Sequence, residues 1–419
     1  MKARNYMAAM IAVAGLAVSC SDEPASRNDD GIFVKTPLYE ISMNETQTRA
    51  AETLRDIAAS KVYELLEEDK TAENVCYSPL SMQLALSMVA HDCRESISEE
   101  TSRKLLEFMG VADFEQLDDF NRLLLRELPK VDGMVKYTLA NSVWRGEESE
   151  IQKESPSWLS VYNAEMFNVD FNDPQAVKRI NEWTLDKTGN KIKLYDDNAD
   201  IKGMDMLYVN ALHFLGKWSV PFEEGQEKMD FTDVNGNVKK VDRLYWNMAT
   251  GGSEYAKENK SVTGELKSRR FAKIPFGNGG YSMYAVLPKE GESVADCAKF
   301  VVGEGLCLED KTEVANGEIT LPGFETQLDV DGIQEKLAAL GFPVNFVTDS
   351  GSSAAMNIKQ KTFFKVTKDG SEGAGATSVA ISLGVPKVGV DVNFNRPFIY
   401  YVMEQSTGTV LFIGSVKKF

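Results

Sequence analysis

Histidine is nearly absent from this chain of 419 residues: there are two, His91 and His213, beside five cysteines. A His-rich metal site, an HExxH helix or a zinc ribbon cannot be assembled from so few ligands, and no metal is expected. Positive charge is also short. The 46 Lys and Arg face 63 Asp and Glu, a formal net charge of −17, which excludes a phosphate-tracking basic surface over most of the chain, and with it nucleic acid as a partner. The sequence holds no GxSxG elbow, no P-loop and no GxGxxG before a helix, so no cofactor is expected. Its nearest Gly-rich stretch, Gly277-Asn278-Gly279-Gly280 between Phe276 and Tyr281, reads as a hairpin turn. A hydrolase triad would need one of the two histidines, and neither has a flanking nucleophile motif. His213, inside the apolar run Val209 to Phe214, reads as a satisfied core or interface residue. His91, ending an apolar helix beside Asp92, reads as a helix C-terminal residue favoured by the dipole. What the chain does have is apolar mass: 43% hydrophobic and 26% charged residues suffice for one large core or two ordinary ones.

The N-terminus reads as an export signal. Lys2 and Arg4 precede an apolar run from Tyr6 to Val18 that is too short to span a bilayer. It ends in Ala17-Val18-Ser19-Cys20, which resembles the bacterial lipoprotein signal in which the cysteine is acylated; a simple cleaved signal is the alternative. Ser21-Asp22-Glu23 resembles the surface-export tag of some Bacteroidetes lipoproteins. Expected from this are a signal peptide over 1–19, a lipid on Cys20 that holds the chain to a membrane, and a polar tether over 20–48. The expected location is the cell envelope, at the outer membrane and facing outward. The remaining thiols, Cys76, Cys93, Cys297 and Cys307, are either buried free thiols or partly bridged, and spacing does not decide between these.

From residue 49 the chain is read as one domain. Leu54, Ile57, Ala58, Val62, Leu65 and Leu66 space out like the buried face of a helix, and Leu84, Leu86, Met88 and Val89 begin another after the Ser78-Pro79 start signal. Strand-like segments follow around Leu207 to Phe214, Tyr281 to Leu287, Phe363 to Val366 and Phe398 to Val402. Helices in the first half and antiparallel-type strands in the second indicate an α+β fold without regular βα alternation.

The segment Gly370-Ser371-Glu372-Gly373-Ala374-Gly375-Ala376-Thr377-Ser378 is rich in small residues and runs on into Val379-Ala380-Ile381-Ser382-Leu383. With a period of two, Ser371, Gly373, Gly375, Thr377, Val379, Ile381 and Leu383 form one apolar or tiny face, and the intervening residues form a small or polar one. That is the pattern of a half-buried strand whose first half could slide between two existing strands. A flexible Gly/Ala/Ser linker remains the alternative on this segment alone.

Several further motifs, in order, resemble the serpin family. They are Asn74-Val75-Cys76-Tyr77-Ser78-Pro79-Leu80-Ser81, Leu139-Ala140-Asn141-Ser142-Val143-Trp144, Ile180-Asn181-Glu182-Trp183 with Thr188-Gly189-Asn190-Lys191-Ile192, and Val209 to Trp218 with Pro221-Phe222. Phe394-Asn395-Arg396-Pro397-Phe398 and Gly408 to Gly414 complete the set. The resemblance covers about 49–419. It implies three β-sheets, roughly nine helices and an exposed reactive-centre loop over about 370–392. It also implies a shutter of Ser78, Ser81, Asn210 and Gln360, the last standing where many animal serpins carry a histidine, and a breach tryptophan, Trp218.

The hinge, Gly370, Ser371, Glu372, Gly373, Ala374, Gly375 and Ala376, resembles that of inhibitory members. The function so implied is suicide-substrate inhibition: a serine protease, or a cysteine protease, cleaves the loop and is held as an acyl-enzyme while the loop enters the main sheet. Fourteen inserted residues at ~3.3 Å each would carry the protease roughly 46 Å. The chain is then an inhibitor and not an enzyme, a monomer whose partner is its target protease. The alternative is a non-inhibitory binding or scaffold protein on a bacterial surface. The family's usual spacing from the hinge glycine puts the scissile bond at Gly384, or at Leu383 for a loop one residue shorter, whose side chain suits chymotrypsin- or subtilisin-like enzymes. Lys387-Val388 is the rival bond, suited to trypsin-like ones.

Overall fold

The computed structural model describes residues 38–70, 72–95, 97–146, 156–197, 200–204, 206–225, 227–246, 261–330, 333–343, 345–347, 353–355, 360–371 and 389–419. Helical structure begins at α1 (Glu45–Leu54), inside the stretch assigned to the tether. The reason is local: Asn44 and Gln47 form a reciprocal capping box, a start signal that apolar periodicity does not register. A π-helical stretch, Arg55–Lys61, joins α1 to α2 (Val62–Asp69). Then come α3 (Pro79–Cys93), α4 (Glu99–Phe108), α5 (Phe114–Glu127) and α6 (Pro174–Lys187), and later α7 (Val294–Gly303) and α8 (Ile333–Ala339). Helix α3 starts where Ser78 caps it and Pro79 occupies the first turn. Every residue from Pro79 through His91 is buried, so it is a central helix rather than an amphipathic surface one.

A seven-stranded sheet runs in the order Val75–Tyr77, Val410–Val416, Phe398–Glu404, Tyr281–Leu287, Arg269–Phe276, Val262–Leu266, Val314–Ala315. Four of these strands are buried at every position, because helices or other sheets cover both faces. The turn at 277–280 closes a hairpin with Gly277 and Gly279 at positive φ, as the Gly-rich spelling requires. A four-stranded sheet follows the order Val392–Asn393, Ile319–Pro322, Arg243–Trp246, Glu223–Glu224.

The remaining long strands form two pieces. In the first, β1 (Val135–Gly146) pairs in parallel with β2 (Ala164–Val169) and antiparallel with β3 (Met206–Gly216). In the second, β4 (Phe324–Val330) pairs antiparallel with β5 (Gln360–Val366). The two faces of β3 serve different cores. Leu207, Val209 and Ala211 pack with Ala176, Val177, Ile180 and Trp183 of α6, whereas Leu212 and Phe214 join the main core and Met206 and Tyr208 lean on it. Cys76 and Cys297 are buried and Cys93 and Cys307 half-buried, all four as free thiols. Cys20 lies outside the described residues.

Candidate functional site

On the side of β3 that faces away from β1, no strand pairs with it among the described residues. A slot therefore separates β3 from β5. The turn after α6 lies over it: a Cβ added to Gly189 would lie 3.0 Å from the His213 ring on β3, and Lys191 Nζ stands 5.4 Å from the centre of the Phe363 ring on β5. His213 is accordingly half-buried beneath this turn rather than part of a catalytic set.

One end of the slot is closed by the chain that leaves β5. Trp218 donates its backbone N–H to Asp369 O at 3.0 Å and its indole N–H to Thr367 O at 2.9 Å. Its ring stacks on Phe276 at 4.3 Å between centroids. Thr367 N donates to Gly370 O, so Lys368 and Asp369 form a two-residue turn, and Gly370 bridges antiparallel to Lys217. Gly370 has φ of 151°, and a Cβ there would lie 2.0 Å from Gly216 O; only glycine allows so close a backbone approach.

Ser371, 1% exposed, already lies alongside the end of β3. Its N–H donates to Gly216 O at 2.8 Å, and its hydroxyl accepts from Gly216 N at 3.0 Å. Glu372, Gly373, Ala374, Gly375 and Ala376 of the hinge, and the scissile candidates Leu383, Gly384, Lys387 and Val388, lie outside the described residues.

Deeper in the slot Gln360, at the start of β5, is tied to the start of α3. Its carbonyl oxygen accepts from Ser78 N at 3.1 Å and its amide donates to Ser78 O at 2.8 Å, while Ser78 Oγ accepts from Ser81 N at 3.2 Å. Three of the four expected shutter residues thus meet. Asn210 stands apart from these three: it sits across the slot on β3 and donates to Asn141 Oδ1 at 2.7 Å, and Asn141 donates in turn to Tyr162 O at 2.8 Å. The reason is reach. Asn210 and Asn141 are direct partners in the β3–β1 register, whereas Gln360 belongs to the other piece. Asn210 Oδ1 is buried without a donor among the described residues.

Two titratable groups hold β3 to the helices beneath it. Burial pushes the Asp92 carboxyl up, and Tyr208 of β3 donates its hydroxyl to that carboxylate at the end of α3. His91 is buried against Phe114, Trp158 and Tyr162, with Nε2 2.5 Å from Asp118 Oδ1. It therefore acts through a side-chain pair to α5, a contact that its place at a helix end does not reveal.

The residues that sequence reasoning missed as site residues are Gly216, Thr367 and Asn141. Gly216 and Asn141 lie inside motifs that were read as segments without assigning single roles. Thr367 acts through its backbone, which no side-chain pattern announces.

Comparison with known proteins agrees with this geometry. A family model described as Serpin (serine protease inhibitor) matches residues 55–418. Serpin-Z7 of Hordeum vulgare is 26% identical over 376 residues, covering 84% of this chain and 91% of the relative. Serine protease inhibitor 42Dd of Drosophila melanogaster is 27% identical over 338 residues, covering 77% and 86%. Among solved structures, the native state of the thermophilic serpin tengpin superposes with a TM-score of 0.75 at 26% identity, covering 92% of this chain and 97% of that one. Human thyroxine-binding globulin complexed with its hormone has the same fold, with a TM-score of 0.74 at 17% identity, covering 89% of this chain and 99% of that one.

Proposed function

The chain belongs to the serpin family, and from that premise we propose that it is an irreversible suicide-substrate inhibitor of serine proteases. In this reading the chain supplies strain release and geometry rather than catalysis. The observation that carries it is the pairing at the slot mouth. Lys217 with Gly370 on one side, and Thr367 with Gly370 on the other, set one antiparallel register against both β3 and β5.

Continued inward, that register gives each loop residue two neighbours. In the inserted strand Ser371 would fall between Gly216 and Val366, Gly373 between Phe214 and Phe364, Gly375 between Leu212 and Thr362, and Thr377 between Asn210 and Gln360. Phe214, Phe364, Leu212 and Thr362 are buried on the core side, so glycines face the bulky residues. Thr377, whose hydroxyl can donate, meets the buried acceptor Asn210 Oδ1. On the outer face Glu372 would come between Leu215 and Lys365, and Ala374 and Ala376 would pass beneath the turn after α6. Small residues would thus stand where the slot is crowded, and a carboxylate beside an ammonium. A linker would have no reason to match both walls.

Cleavage after Leu383 is the bond we assign to the trapped protease, with Lys387-Val388 as a second bait for trypsin-like enzymes. We also assign acylation to Cys20 and an outward-facing position at the envelope, on the signal sequence alone. The test is incubation with a panel of serine proteases, followed by denaturing electrophoresis and mass mapping of the cut. A complex that survives SDS with a released peptide beginning at Gly384 is expected. Cleavage of the loop with no complex for any protease would overturn inhibition and favour a binding or scaffold role. Complexes formed only by cutting before Val388 would move the assigned bond.

A further inference from the structure

Residues 38–43, which carry the chain from the tether into α1, do not trail free. Leu38 packs over the 277–280 turn, where a Cβ on Gly280 would lie 3.2 Å from Leu38 Cδ2. Tyr39 N donates to Val131 O at 3.2 Å, and its hydroxyl bonds the Glu127 carboxylate. Ile41 is buried and its N–H donates to Ser406 Oγ at 3.0 Å. Three separate segments are thereby gripped: the end of α5, the 277–280 turn and the turn at 405–407.

These segments converge on Asp132. Its carboxylate accepts from the backbone N–H and the amide of Asn278 at 2.6 and 3.0 Å, and from Met134 N at 3.0 Å. Gln405 N donates to Gly280 O at 3.0 Å. The same turn holds the mouth of the slot: Gly277 N donates to Lys217 O at 2.8 Å, Ser219 Oγ to Gly277 O at 2.7 Å, and Phe276 carries the Trp218 ring. An unbroken set of contacts therefore runs from the point where the tether joins the domain to the backbone that pairs with Gly370 and Ser371.

We propose that residues 38–43 are a strap that braces the slot mouth, so that releasing the strap, by proteolysis or by pull on the tether, speeds entry of the loop. The second half of this statement rests on the insertion reading above; the brace itself does not. Rigid segments with two arrangements are what transmit such coupling, and the strap is bound by few enough contacts to have a released arrangement.

The test uses the full chain from residue 21, Ile41→Ala, Tyr39→Phe, and a chain beginning at Asn44, which keeps the cap of α1. Amide hydrogen exchange is followed at Lys217, Trp218, Gly277 and Ser371. Ile41→Ala and the shortened chain should exchange there about tenfold faster, equivalent to about 1.4 kcal/mol, with amides of the Val75–Tyr77 strand unchanged. Loop-cleaved samples should gain thermal stability correspondingly sooner. Unchanged exchange at the mouth, or acceleration spread evenly over the domain, overturns the brace. Failure of the unmodified chain to gain stability after cleavage would sink insertion instead, and the exchange data would still judge the strap.

Discussion

Ser371→Arg is the perturbation that bears hardest on the slot. In the structure Ser371 is enclosed, with its hydroxyl accepting from Gly216 N and the Phe214 carbonyl as the next oxygen in reach, at 3.4 Å. A guanidinium entering there would be buried between Gly216 and Val366 with no carboxylate opposite. An unpaired buried ion costs several kcal/mol even after relaxation, and Gly216 N would lose its acceptor as well. Because residue 371 is already enclosed before any cut, the arginine would first lift this part of the chain off Gly216, and insertion would have to bring it back; if about 3 kcal/mol falls on that return, the first step of insertion slows roughly 150-fold. Release of the cut protease by water then wins the competition. Titration against a protease trapped by the unmodified chain should show on the order of 100 cut molecules per trapped protease, if trapping and release are otherwise comparable. Cleavage itself should proceed at its usual rate, and Ser371→Thr should remain close to the parent. Undiminished complex formation by the Arg variant would show that residue 371 does not enter the sheet with its side chain inward.

Gln360→Ala strips the buried Ser78 N–H of its acceptor, while Ser78 O keeps the Met82 N–H, and should lower stability to urea by about 1–3 kcal/mol; an unchanged midpoint would mean that water replaces the amide. The Tyr39 hydroxyl first, then Arg126 and Lys130, hold the Glu127 carboxyl down to about 2. Because the folded value lies below the unfolded one, about 4.3, its contribution is present above about pH 4.3 and is lost as the pH falls toward about 2. Glu127→Gln should flatten that part of an acid-denaturation curve, and a parallel curve would remove Glu127 from the account. Cys20→Ala should move the protein out of the detergent phase on partitioning; if it stays wholly with membranes, the anchor is elsewhere.

Much of this was legible in the sequence because it follows from short-range rules. Ser78-Pro79 starts a helix, Gly277 to Gly280 turns a hairpin, and the apolar runs of 281–287 and 398–402 become strands buried on both faces. Of the hinge, Gly370 and Ser371 lie among the described residues, and the spelling of the segment alone left a strand and a flexible linker as alternatives. What stayed hidden depends on what lies beside a strand rather than in it. Nothing in Val209 to Trp218 says that β3 pairs on one side only, and nothing in Asn210 says that its partner is Asn141 rather than Gln360. The strap was read as tether because one buried isoleucine and a tyrosine carry no periodicity. Asp118 is likewise absent from any motif, and only the packing of α5 on α3 brings it to His91.

The two-residue turn at Lys368 and Asp369 has a further consequence, best put as a reading frame. It fixes which wall each later residue meets, and in a strand the faces alternate with every residue. A single residue inserted after Ser371 would turn Glu372 or its successors toward the core and the glycines to the outer face beneath the turn after α6, although no residue was lost and the composition hardly changed. Two inserted residues would restore the faces and only lengthen the strand. Natural variation in such a hinge is therefore constrained in parity before it is constrained in chemistry. In the inhibitory reading proposed above, a loop of this kind could exchange its small residues freely, yet could not absorb one residue more or less and still match both walls.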